Sequence, residues 1–273
     1  MEKGSTMQEN ELSTSELLVV RAREGSVLHL TLNRGDRFNP LSSAMIAALQ
    51  AELDATAIDE SVQVVVLRGA GKGFCAGHDL KEMRAHVGDP AWHRTLFDDC
   101  SRMMLTLTRL PQPVIARVHG VATAAGCQLV AMCDLAVAAE NATFALPGVN
   151  IGVFCSTPAV AVARNVSRKR AMEMLLTGKT IDAQTALAWG LINRAVPIDR
   201  LDGEVRHLVD LIVTRSPAVI RLGKQTFYRG LDQSLDAAYE LAGECMVRNL
   251  LLEDAAEGMD AFLGKRAALW RKR

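Results

Sequence analysis

Two short apolar runs, residues 62–67 and 113–118, constrain the fold more than any other feature of the chain. Each is bounded by Gly or Pro and is too short for a helix, the pattern of parallel strands buried on both faces. Parallel strands need a long crossover, and the segment between the runs supplies one. Residues 92–110 carry Leu96, Met103, Met104 and Leu107 at helical spacing. Both runs end in glycine-bearing loops, and in open α/β architectures ligands sit beyond the carboxyl ends of such strands.

The same reading extends in both directions. Residues 17–22 and 27–32 read as a hairpin about a turn with Glu24 and Gly25. Ser42 and Ser43 offer N-caps to an amphipathic helix reaching Thr56, with Met45, Ile46, Leu49 and Leu53 on one face. Residues 135–139 and 142–146 read as two further short strands. Beyond Pro147 the pattern turns helical, over 168–177, 183–189, 201–214, 217–229, 235–252 and 254–271. The expected organisation is a disordered tail at 1–16, a sheet-bearing core at 17–200 and a C-terminal helical region at 201–273.

Composition narrows the partners. Thirty-one basic residues balance 31 acidic ones, so no net field draws in nucleic acid or an anionic membrane. No apolar stretch approaches the roughly 18 residues that cross a bilayer. A small molecule is the expected ligand. The six cysteines show no CxxC pair and no adjacent histidine ligand, which predicts reduced thiols and no metal site. With an acid-rich N-terminal segment that lacks an apolar core, this reads as a cytoplasmic protein.

The chemistry is expected in two loops. In GKGFCAGHDLKEM, residues 71–83, Gly71, Gly73 and Gly77 let the backbone approach a ligand closely. In HGVATAAGCQLVAMCDLAVA, residues 119–138, small residues lead into a helix starting near Ala124 or Ala125, whose first N–H groups lack acceptors. Either loop alone fits an ordinary strand-to-helix turn. Together they resemble the two signature regions of the crotonase, or enoyl-CoA hydratase/isomerase, family, and the resemblance runs over about residues 17–271.

The resemblance implies an α/β fold, a stacked ββα spiral with a C-terminal helical region. It implies an acyl-CoA thioester as ligand, with coenzyme A part of the substrate rather than a cofactor, and a homotrimer or hexamer. Carried over residue by residue, it places an oxyanion hole at the backbone N–H groups of His78 and Ala125, where the family often has a smaller residue and glycine respectively. It assigns Ala76, His78, Asp79, Leu80 and Lys81 to the coenzyme A moiety, together with Phe262 and Lys265 in the last helix. Asp79 equally fits the cap of a short helix from Leu80, and Lys81 a solvated helix lysine.

Two departures stand out against that pattern. Hydratases of the family carry glutamate where this chain has Gln128 and Gly148. A carboxamide takes no proton near neutral pH and glycine has no side chain. Each lost acid or base costs typically about 10²- to 10⁴-fold in rate. The expected protein polarises a thioester and stabilises its enolate but hydrates double bonds weakly or not at all; the alternative is a non-catalytic acyl-CoA-binding or regulatory protein. Asn150, Cys155 and Ser156, in the loop after Gly148, are the candidates to line the pocket. Cys155 would need a neighbouring base to act as a nucleophile.

Overall fold

A computed structural model describes residues 16–271, so residues 1–15 of the expected tail lie outside the described residues. Strands β1 (Val19–Glu24) and β2 (Val27–Leu32) pair antiparallel around Gly25, whose φ of +59° is the left-handed geometry that a tight turn demands. Ser42 accepts the N–H of Met45 at 3.2 Å and starts α1 (Ser43–Ala57) where the capping pattern put it. Strand β3 (Val64–Gly69) begins two residues later than its apolar run, because Val62 is still bonded back to Asp59 in the preceding turn.

There follow α2 (Leu80–Ala85), α3 (Pro90–Arg109), β4 (Val114–Val118), β5 (Val121–Thr123), α4 (Ala125–Met132), β6 (Leu135–Ala139) and β7 (Thr143–Ala145). The helical part contains α5 (Ser156–Val162), α6 (Arg168–Thr177), β8 (Ile181–Asp182), α7 (Ala183–Trp189) and β9 (Arg194–Val196). It ends with α8 (Leu201–Val213), α9 (Pro217–Gly230), α10 (Leu235–Leu250) and α11 (Glu253–Leu263).

The main sheet has the order β1-β2-β3-β4-β6-β9, parallel from β2 onward. A second sheet runs β5-β7-β8. Both faces of the main sheet are covered, which is why its strands read as continuous apolar runs. Leu28, Leu30, Val65 and Leu67 join the core that includes Leu49 and Leu53 of α1 and Met103 of α3. Val64, Val66, Ile115 and Val137 meet Leu201, Val205 and Val209 of α8 on the other face.

Strands β5, β8 and β9 and helix α5 are absent from the sequence reading, being too short to show a period. The last helix stops at Leu263 instead of reaching residue 271. Past Gly264 the chain turns through Lys265 at φ 53° and folds back. The Leu269 N–H donates to Glu257 at 2.7 Å, the Trp270 indole to the Thr214 carbonyl at 2.7 Å, and the Arg271 N–H to Asp254 at 3.0 Å.

A buried cation helps tie α9 to the core. Lys224 of α9 donates to the carbonyls of Leu107 and Gln112 at 2.9 and 2.8 Å and to the Asp134 carboxylate at 2.7 Å. Burial pulls the ammonium below its ordinary pKa while Asp134 opposes that shift. Among the described residues, no helix is long and apolar enough to cross a membrane and no side-chain cluster could hold a metal ion.

Candidate active site

The first loop is shaped by Asn39, a residue the sequence reading passed over. Wholly buried and held at φ 52°, its Nδ2 donates to the carbonyls of Ala70, Gly73 and Phe74 at 2.9, 2.9 and 3.1 Å. Its Oδ1 accepts the Arg34 N–H at 2.8 Å. The one signal available was the Asn39-Pro40 dipeptide, a turn marker with no catalytic connotation. Glu82 was missed likewise; it accepts the Ser43 N–H at 2.9 Å and ties α2 to the start of α1.

Beyond Phe74 the loop runs extended between two neighbours. On one side Cys75 exchanges hydrogen bonds with Val121 and Thr123, each at 3.0 Å. On the other, the Gly77 carbonyl accepts from Leu41 at 2.7 Å and Asp79 donates to Leu41 at 3.3 Å. That is a parallel bridge in which Leu41 bonds the residues flanking His78. The N–H of His78 therefore points away from Leu41.

The second loop delivers a matching donor. Ala124 takes φ 49° and ψ −119°, a costly conformation for a residue with a Cβ. It is held there because its N–H donates to Ala145 at 2.9 Å and its carbonyl accepts from Gln128 at 3.0 Å. Ala125 is the first residue of α4, so its N–H has no acceptor within the helix. The loops touch through glycines. A Cβ on Gly77 would stand 3.1 Å from the Ala125 nitrogen, and one on Gly126 would fall 2.0 Å from the Cys75 carbonyl oxygen. Only bare backbone allows that approach, and it sets the 75–77 segment that leads into His78 against the first turn of α4. Neither the His78 nor the Ala125 amide donates a hydrogen bond among the described residues.

The side chains carried by these two segments are uncharged at His78 and Gln128. His78 is half-buried with its ring edge against Phe97, 5.3 Å between centroids. Burial pushes its pKa down to about 4 against a smaller upward pull from Glu82, so the imidazole is neutral. Gln128 is 5% exposed. At Gly148 the chain occupies the space of a side chain. A Cβ there would lie 2.3 Å from the Val153 carbonyl oxygen and 2.9 Å from the Cys155 sulfur. The Gly148 carbonyl accepts from Val153 at 3.0 Å and its N–H meets Cys155 Sγ at 3.3 Å.

Of the expected pocket residues, Cys155 is thus packed beside Gly148. Burial raises its thiol pKa, and that of neighbouring Cys127 is pushed up to about 12, so neither is a thiolate. Asn150 and Ser156 are exposed and engaged elsewhere. The Asn150 carboxamide lies against Gly178 at the end of α6, and Ser156 donates to the Phe154 carbonyl at 3.4 Å.

The residues expected at coenzyme A fall into two groups. Ala76 is fixed by its N–H to Phe38 at 2.8 Å and by the Thr123 hydroxyl on its carbonyl at 3.1 Å. Asp79 caps α2 through the amides of Lys81 and Glu82 at 2.9 and 3.2 Å, and Leu80 and Lys81 are exposed just after His78. Phe262 and Lys265 are not gathered with them. Phe262, 83% exposed, sits at a groove with Ile220, Met246 and Trp270, where α11 packs on α9 and α10.

Known proteins share this architecture. The sequence pattern of the family described as Enoyl-CoA hydratase/isomerase matches residues 22–273. The enoyl-CoA hydratase domain-containing protein 3, mitochondrial, of Rattus norvegicus is 44% identical over 267 residues, spanning 98% of this chain and 88% of its own length. The 2,3-dehydroadipyl-CoA hydratase of Escherichia coli is 36% identical over 255 residues, spanning 92% of this chain and 97% of its own. The crystal structure of an enoyl-CoA hydratase from Mycobacterium smegmatis superposes with a TM-score of 0.91 at 51% identity, over 93% of this chain and 98% of that one.

These matches correct one expectation. The rat relative and its Mus musculus and Homo sapiens counterparts carry a mitochondrial name, which overturns the cytoplasmic reading and points to the mitochondrion. The cysteine argument failed for a physical reason. All six thiols are buried and unpaired, which counts against an oxidising compartment but does not choose among reducing ones.

Proposed function

Because the chain belongs to the enoyl-CoA hydratase/isomerase family, we propose that it binds an acyl-CoA thioester with the carbonyl oxygen between the His78 and Ala125 amides. The observation carrying this reading is the pair of unused main-chain donors on two segments that glycine contacts hold together. As the thioester takes on enolate character its oxygen gains negative charge, and donors fixed beforehand stabilise that charge without reorganising. Each such donor is worth about 10²- to 10³-fold in rate.

Hydration also needs a base for water and an acid for the α-carbon. Gln128 takes no proton, Gly148 has no room for a side chain, the thiols stay protonated, and burial disfavours the imidazolium that His78 would become on taking a proton. Crotonyl-CoA hydration, followed by loss of the conjugated thioester absorbance, is expected to fall well below the roughly 1 to 10³ per second of ordinary enzymes. Turnover within that range would refute this part of the proposal.

The closed space at Gly148 also favours a second reading, an acyl-CoA-binding protein without turnover. Calorimetry and mass spectrometry on one panel of thioesters separate the two, since the second predicts binding with no product at any chain length. For either reading the coenzyme A moiety runs past Ala76, His78, Asp79, Leu80 and Lys81. Phe262 and Lys265 reach it from a neighbouring subunit of a homotrimer or a pair of trimers. The exposed apolar side chains Phe227, Leu235, Tyr239 and Leu251 support such an assembly, and light scattering tests it.

A further inference from the structure

The two loops of the site also meet through a side chain, that of His119. This residue stands where β4 has ended and the chain crosses the start of the first loop. Its Nε2 lies 2.9 Å from the Gly71 carbonyl oxygen, and its Nδ1 lies 3.1 Å from Nη1 of Arg117. The main chain is close-packed at the same crossing. A Cβ on Gly120 would fall 2.2 Å from the Lys72 carbonyl oxygen, and one on Gly71 would fall 2.6 Å from the Gly35 Cα. His119 thus fastens the first residue of one loop to the segment that leads into α4.

These two contacts admit one charge state of the ring. A guanidinium only donates, so Nδ1 has to accept; a carbonyl only accepts, so Nε2 has to carry the proton. A second proton, on Nδ1, would aim an N–H at the guanidinium and set one positive charge beside another. Arg117 has little freedom to step aside. Its side chain is 15% exposed and forked onto Asp202 at the start of α8, Nε to Oδ1 at 2.6 Å and Nη2 to Oδ2 at 3.1 Å. That fork holds the Asp202 carboxyl below its ordinary pKa against an opposing pull from burial, and Arg68 of β3 and His119 add to the lowering. His29 of β2, with Glu24 and Arg206 beside it, reaches the same cluster through Arg68 and Asp202. On protonation the His119 ring is therefore the part that yields, and Gly71 loses its donor.

We propose that His119 is a positioning residue through which acid regulates the acyl-thioester site: the neutral ring fastens Gly71 to the second loop, and the imidazolium releases it. This rests on the acyl-CoA reading above and adds the regulation of that site to it. His119→Gln separates the effect from other ionisations, because a carboxamide can still donate to Gly71 but takes no proton. The phosphates of coenzyme A, His29 and His78 are common to both proteins and cancel in the comparison. Calorimetric titration of the full chain with butyryl-CoA at about pH 8 and about pH 5.5 spans the range in which histidine changes charge. Wild-type affinity should fall about 3- to 10-fold more than that of His119→Gln, the range for one net hydrogen bond.

Asp202→Asn loosens the hold on Arg117, so the guanidinium can move in place of the ring. It should remove most of the same excess, and it carries the test if His119→Gln does not fold. Nitrogen NMR of the wild-type imidazoles at about pH 8 should find the His119 proton on Nε2. A proton on Nδ1 would overturn the proposal without any variant, as would an equal fall in affinity in the wild type and both variants. Absence of butyryl-CoA binding by the wild type at about pH 8 would bring down the acyl-CoA reading as well, whereas equal falls leave that reading standing and remove only this one.

Discussion

Gly148→Ala adds a single methyl group at the position where the family resemblance implies a carboxylate in hydratases. The new Cβ would stand 2.3 Å from the Val153 carbonyl oxygen and 2.9 Å from the Cys155 sulfur, more than 1 Å inside ordinary contact for the oxygen. The oxygen belongs to backbone, so relief requires the 148–153 turn to open. That strains the Val153 to Gly148 hydrogen bond of 3.0 Å and the Gly148 to Cys155 contact of 3.3 Å.

Overpacking of this kind costs about 1–3 kcal/mol. Reduced entropy of the unfolded chain returns about 0.4–1 kcal/mol. The net loss should be about 1–2 kcal/mol, which lowers Tm by roughly 2–8 °C in a chain of this size. Gly243→Ala is the matched control, because it sits in α10 with nothing within 4 Å of its Cβ. It should stabilise by up to about 1 kcal/mol. Thermal and urea unfolding of both variants make the comparison. If Gly148→Ala is as stable as wild type while Gly243→Ala gains, the loop is not packed on that carbon and a glutamate would fit. If the reasoning holds, Gln128→Glu with Gly148→Glu will not create a hydratase, because the second carboxylate has nowhere to stand.

Other predictions concern the supports of the site. Asn39→Ala removes the side chain that bonds Arg34, Ala70, Gly73 and Phe74, and should cost about 2–4 kcal/mol in urea unfolding, with thioester affinity falling alongside. His78 titrates near 4 when folded against 6.5 as the ordinary value. The unfolded chain therefore binds its proton first, so stability falls as pH drops from 6.5 and levels off below about 4. The loss is on the order of 3 kcal/mol, and His78→Gln should flatten that part of the pH profile. Lys224→Met strands the Asp134 carboxylate and should cost about 3–5 kcal/mol; adding Asp134→Asn should cost less than the two single changes summed.

What could be read from the chain follows from how local each cause is. The apolar runs at 62–67 and 113–118 became buried parallel strands, and Ser42 and Asp79 became helix caps, because such signals reside in a few adjacent residues. The two glycine-bearing loops after the strands, at 71–79 and 119–125, were legible for the same reason. Asn39 was not, since its four partners are scattered over residues 34–74 and its importance exists only once the loop is folded. The return of residues 264–271 onto Asp254, Glu257 and Thr214 likewise depends on tertiary partners, while the local pattern still favours helix. Gly148 shows the difference most sharply. The resemblance implies a carboxylate at this position; the fold adds that Val153 and Cys155 stand where its first carbon would be. A missing side chain could be regained by one substitution. A filled position couples any such substitution to the whole 148–155 turn, so a carboxylate at 148 depends on the packing of this chain and not on one residue alone.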